Sequence, residues 1–85
     1  MTEHRLKTWP MFYAAVASGQ KPFELRRDDR GFEIGDDLIL EEWNPANGVY
    51  TGNFCARRIT YILRHADTPF GGIEQGFAIL GLSEF

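Results

Sequence analysis

The sequence predicts a mainly β fold, α+β in class, with five to six short strands curled into a small barrel and one helix near the N-terminus. Three observations carry this. Segments of period-two or continuous apolar character recur between turns rich in Gly, Pro and Asn, the punctuation of strands. Only residues 10–18 combine good helix formers with a start and a stop signal. Gly76-Phe77-Ala78-Ile79-Leu80-Gly81-Leu82 is almost entirely apolar, which predicts a central strand covered on both faces. At 85 residues the chain suits one domain, spanning 1–85, around one core.

In chain order, His4 to Thr8 reads as a first strand with Leu6 inward. Thr8 is placed to cap a helix whose first turn holds Pro10, where a missing N–H costs nothing. Phe12 and Val16 lie four apart on one helical face, and Gly19 supplies a left-handed stop. In Pro22-Phe23-Glu24-Leu25-Arg26 the alternation predicts a half-buried strand, with Phe23 and Leu25 as the core pair and Glu24 and Arg26 sharing the other face. Asp37 to Trp43 is the next strand, entered through Gly35-Asp36. Asn44-Pro45-Ala46-Asn47-Gly48 is a dense turn signal and predicts a hairpin tip. A long strand then runs from about Phe54 to His65, with Ile59, Tyr61 and Leu63 on one face and Ile62 on the other. Asp67 to Gly72 is a loop, and the apolar strand closes the chain. Closure into a barrel removes the exposed edges at which such a strand would aggregate.

A composition of 44% hydrophobic and 25% charged residues is that of a folded domain. Cys55 is the only cysteine, which excludes an internal disulfide and four-ligand thiolate zinc sites. The polar start Met1-Thr2-Glu3-His4-Arg5 has no signal-peptide character, and no run reaches membrane-span length, so a cytoplasmic protein with no membrane partner is expected. The net charge of −3 argues against a nucleic-acid binder held by bulk electrostatics. Its distribution is uneven. Residues 1–30 carry six basic and four acidic side chains, and residues 31–85 three and eight, so one cationic face on an acidic body is expected, against the alternative of an ordinary mixed surface.

The charge is densest in Lys21-Pro22-Phe23-Glu24-Leu25-Arg26-Arg27-Asp28-Asp29-Arg30, seven charges in ten residues directly after the helix stop. The helix end delivers Lys21 to the mouth of the fold, and strand geometry projects Glu24 and Arg26 together. Two cationic donors and an acceptor converging on one cleft suit a phosphate plus a base or amide edge. The plainer alternative is a structural ion pair on the barrel rim.

Gly19, Lys21, Glu24 and Arg26 match the G-x-K-x-x-E-x-R signature, and through them the chain resembles the ASCH domains of the PUA-like superfamily. His4-x-Leu6-Lys7-x-Trp9-Pro10, Asp29-Arg30-x-Phe32, Gly35-Asp36-x-Leu38-x-Leu40, Tyr50-Thr51-Gly52 and Gly76-Phe77-x-Ile79-Leu80 extend the resemblance to its phage and bacterial subfamily, DUF3850. The resemblance implies a PUA-like barrel of five or six strands, a cleft beside the helix, and a role in binding RNA, single-stranded nucleic acid or a modified nucleobase. Lys7, Trp9, Lys21, Glu24, Arg26 and Arg30 are then the candidate ligand-binding residues: Lys7 and Arg30 on a phosphate, Glu24 and Arg26 on a base edge, and Trp9 as a stacking platform. Trp43 is a lesser candidate for stacking. On this reading, Lys21→Ala or Arg26→Ala weakens binding and barely moves the melting temperature.

Some small ASCH proteins hydrolyse N4-acylated cytidines with a lysine, a threonine three residues later and a distant glutamate. Lys21 matches the lysine, but Glu24 stands where that pattern has threonine. If the chain is an enzyme, it is a nucleoside amidohydrolase with Lys21 and Glu24 as its acid–base pair. A third possibility is a phage-encoded protein that binds a host factor. His4 and His65 are far apart without ligand-spaced carboxylates, so no metal is expected; no cofactor is implied, and Cys55 reads as a buried, inert thiol. The glycine-bearing segments 31–35 and 71–76 match no phosphate-binding fingerprint and read as turns.

Overall fold

A computed structural model describes residues 1–84. The elements are β1 (Glu3–Thr8), α1 (Pro10–Ala17), β2 (Phe23–Arg27), β3 (Asp37–Asn44), β4 (Val49–Arg64), a 3-10 turn at His65–Asp67, and β5 (Phe77–Ser83). The strands form one curled half-barrel sheet in the order β1-β3-β4-β5-β2. β1 runs parallel to β3, and every other neighbour is antiparallel. The hairpin tip falls at residues 45–48, as the Asn-Pro-Ala-Asn-Gly signal predicts, but β4 starts at Val49 rather than near Phe54 because the hairpin ladder resumes directly after the turn. β5 lies between β4 and β2, the central position its apolar sequence demands.

The core gathers Leu6 from β1, Val16 from α1, Phe32 from the loop before β3, Leu38 and Leu40 from β3, Ile59 and Ile62 from β4, and Ala78, Leu80 and Leu82 from β5. Each fully buried aliphatic side chain of this size contributes about 1.5–3 kcal/mol. No helix among the described residues is long and apolar enough to cross a membrane.

Four local expectations are overturned. The first concerns the faces of β2. Glu24 pairs with Leu80 and Arg26 with Ala78, so both share the core-facing side, and Glu24 is only 3% exposed. Phe23 and Leu25 lie on the outer face, with Leu25 57% exposed. A period of two defines two faces without saying which is inside, and here a carboxylate with two cationic partners occupies the interior.

The second concerns β4, where Ile59 opposes Leu82 and Tyr61 opposes Gly81, leaving Thr60 as an extra residue. This bulge reverses the parity of the strand, so Ile59 and Ile62 are both buried and Tyr61 is exposed. Gly81 accommodates the crowded backbone, since a Cβ there would stand 3.3 Å from that of Tyr61.

Third, Thr8 does not cap α1. Trp9 holds the N-cap position without a side-chain bond, while the Thr8 hydroxyl donates to the Leu6 carbonyl at 3.1 Å. Fourth, the strand ladder does not close. β1 and β2 remain edges, and the Arg26 side chain spans between them.

Candidate functional site

The charged stretch folds into a cleft along the free edge of β2. Gly19, at φ +85°, turns the chain out of α1, and the Lys21 amide donates to the Ala15 carbonyl at 2.9 Å, fixing the lysine at the helix end. Arg57 from β4 secures that end by donating to the Val16 and Ala17 carbonyls at 3.1 and 3.3 Å, the former also accepting from the Gly19 amide at 3.0 Å. The cleft has a volume of about 530 Å³ and is bordered by the end of β1, the start of α1, and Lys21 with the whole of β2.

Glu24 is its anchor. Lys21 Nζ donates to Oε1 at 2.6 Å and Arg26 Nε to Oε2 at 2.9 Å, so both carboxylate oxygens face a cation. The two phenyl rings of Phe12 and Phe23 flank the Lys21 ammonium with centroids at 5.1 and 5.4 Å, holding the charge between apolar walls. Arg26 continues across the seam, donating to the Lys7 carbonyl at 3.1 Å and the Thr8 hydroxyl at 3.0 Å. Its guanidinium therefore binds the two sheet edges together while lining the cleft.

Of the six residues the sequence singled out, five border the cleft: Lys7, Trp9, Lys21, Glu24 and Arg26. Trp9 is 52% exposed, leaving much of its indole open to solvent. The Lys7 ammonium rests 4.3 Å from the ring centroid of Trp43, which is itself outside the cleft. Arg30 does not line the cleft; its guanidinium donates to the Arg5 carbonyl at 3.1 Å on β1. The structure adds Thr8, Phe12, Phe23, Leu25 and Arg27 to the lining. Arg27 belongs to the dense charged stretch, whereas the outward turn of Phe23 and Leu25 depends on the burial of Glu24.

A second polar cluster lies apart from the cleft. The Asp36 carboxylate is buried and accepts from His4 Nε2 at 2.8 Å, the Thr2 amide at 3.1 Å and the Glu33 amide at 3.0 Å. A carboxylate only accepts, so His4 Nε2 carries the hydrogen. The His4 ring packs edge-on against Phe32, with centroids 4.8 Å apart. Burial alone would raise the Asp36 pKa, but the hydrogen bonds from His4 and the two amides together hold it below its ordinary value. This cluster ties the N-terminus to the loop before β3. Cys55 is half-buried, and burial pushes its thiol pKa up although Arg57 pulls the other way.

Residues 3–82 match the family described as "Domain of unknown function (DUF3850)". A protein of Escherichia phage P2, described as "Uncharacterized 12.9 kDa protein in GpA 3'region", is 39% identical over 64 residues. That alignment covers 75% of this chain and 57% of the phage protein, so the chain spans little more than half the length of this relative.

Proposed function

The chain belongs to the DUF3850 family, and from that premise and the cleft we propose that it is an ASCH-type, PUA-like module that binds single-stranded RNA or a modified nucleobase. The observation that carries the reading is the half-exposed Trp9 indole beside a cleft whose cations are anchored on buried Glu24. A base stacked on an open aromatic ring gains about 1–3 kcal/mol. Lys21 has three N–H donors and spends one on Glu24, and Arg26 has five and spends three, so each retains donors for a phosphate or a base edge. Four basic residues line the cleft against one carboxylate, in a chain of net charge −3. That contrast favours a short strand or a single nucleotide over a long duplex.

The test is fluorescence anisotropy with a labelled short single-stranded RNA. Lys21→Met, which keeps the aliphatic stem and leaves Glu24 its Arg26 partner, is expected to weaken binding about tenfold or more while costing about 2 kcal/mol in stability. Wild-type affinity should fall as salt rises. Absent or salt-insensitive binding would remove the reading.

One contact favours a second reading: the 2.6 Å Lys21–Glu24 pair, with the Thr8 hydroxyl in the same cleft, is a candidate acid–base set for hydrolysis of an acylated nucleoside. Both Glu24 oxygens are already engaged by cations, however, which places the binding reading first. Incubation with N4-acetylcytidine followed by chromatography separates the two, with turnover above buffer supporting hydrolysis.

A further inference from the structure

The two edges of the half-barrel are treated differently. Just before β1 the Thr2 carbonyl accepts from the Asp37 amide, so even-numbered residues turn their backbone groups toward β3 and odd-numbered ones face out. Two of those outward carbonyls, of Arg5 and Lys7, are occupied by the Arg30 and Arg26 guanidiniums. The edge is thereby blunted by side chains.

Among the described residues, nothing covers the outward backbone groups of β2 in this way. The Pro22 carbonyl and the Asp28 amide both bond to the β5 side, at Leu82 and Gly76, so the backbone groups of residues 22, 24, 26 and 28 face β5. Those of Phe23, Leu25 and Arg27 face the open edge. The cleft borders residues from both faces of β2, Phe23 and Leu25 on one and Glu24 and Arg26 on the other, which places it along this edge. Phe23 and Leu25 are exposed beside it.

We propose that the free edge of β2 is a docking strand that pairs, main chain to main chain, with an extended acidic segment of a partner protein. Charge selects the occupant. Lys21, Arg26 and Arg27 stand along the edge against Glu24 alone, so a second copy presenting the same cations is repelled, whereas an acidic strand is attracted. Side chains of an added strand alternate between faces: apolar residues at every second position cover Phe23 and Leu25, and carboxylates between them meet Lys21 and Arg26. The inference stands on the backbone of β2 and is independent of nucleobase stacking on Trp9, although the two ligands share the cleft and compete.

The test uses a fluorescein-labelled Glu-Val-Asp-Ile-Glu-Val-Asp peptide with the full chain. Binding is expected, and N-methylation of alternate peptide amides weakens it about tenfold or more by removing main-chain bonds. Replacing the acids by lysines abolishes it. Leu25→Pro removes one outward N–H at an edge position where proline is tolerated and weakens binding to a similar degree, while Leu25→Thr, which keeps the N–H and loses only apolar contact, weakens it clearly less. Circular dichroism checks that the proline variant is folded; if it is not, the N-methylated peptide decides. No peptide binding up to millimolar concentration overturns the proposal, whether or not RNA binds. Equal binding of the N-methylated peptide also overturns it, as does a wild-type dimer that Leu25→Pro dissolves.

Discussion

Replacing Asp36 by alanine is expected to lower the stability of the fold by about 3 kcal/mol, because it removes the acceptor for three buried or partly buried donors at once. The His4 ring and the Thr2 and Glu33 amides all converge on that carboxylate and lose their acceptor together. For a chain of this size the melting temperature falls on the order of 15 °C. Thermal unfolding of Asp36→Ala beside wild type measures it, and a shift of only a few degrees would show that the cluster relaxes into solvent.

The same residue sets an acid limit. Burial opposes ionisation of Asp36, but the hydrogen bond from His4 and those from the two amides outweigh it and lower the folded-state pKa below the ordinary 3.8. A lowered folded pKa means that the contribution is complete above the unfolded value and is lost as pH falls through the folded one. Wild-type stability should therefore be flat with respect to this group at neutral pH and decline below about pH 4. Asp36→Asn should lack this component of the decline, having already lost the stability at neutral pH. Urea titrations at stepped pH give the comparison.

Arg26→Ala is the second large effect. The sequence alone implies a binding defect with little change in melting temperature, and the structure revises that expectation. Arg26 donates to Glu24, to the Lys7 carbonyl and to the Thr8 hydroxyl, so its removal unlinks the two sheet edges and leaves buried Glu24 with Lys21 alone. A loss of about 2–3 kcal/mol is expected. Arg26→Lys keeps the charge but not the planar fork, and should fall between alanine and wild type. Removing Glu24 as well relieves the stranded carboxylate, so the double variant should be less destabilised than the sum of the single ones. Strict additivity in urea unfolding would mean that the three-way pairing contributes nothing as a unit.

The elements legible in the sequence are those fixed by local chemistry. Pro10 and Gly19 bracket α1, Asn44-Pro45-Ala46-Asn47-Gly48 encodes the hairpin tip, and the apolar run after Gly76 requires two neighbours. The cleft was legible because Lys21, Glu24 and Arg26 are close in sequence and strand geometry brings them together. What stayed hidden is which face of a strand turns inward and which partners distant in the chain are met. Glu24 goes inward because two cations neutralise it, which the alternation of β2 cannot reveal. The Thr60 bulge is set by the register against Leu82 and Gly81. Thr8 is drawn from its cap position to Arg26, 18 residues away, and His4 to Asp36, 32 residues away.

On the proposed reading, ligand enters between Trp9 and β2. A 15N–1H correlation titration with a short single-stranded RNA tests it most directly. The account predicts shifts concentrated on the Trp9 indole and the backbone amides of residues 21–27, with the Asp36 cluster undisturbed. Shifts centred instead on the β3–β4 hairpin tip, or none at saturating RNA, would contradict it.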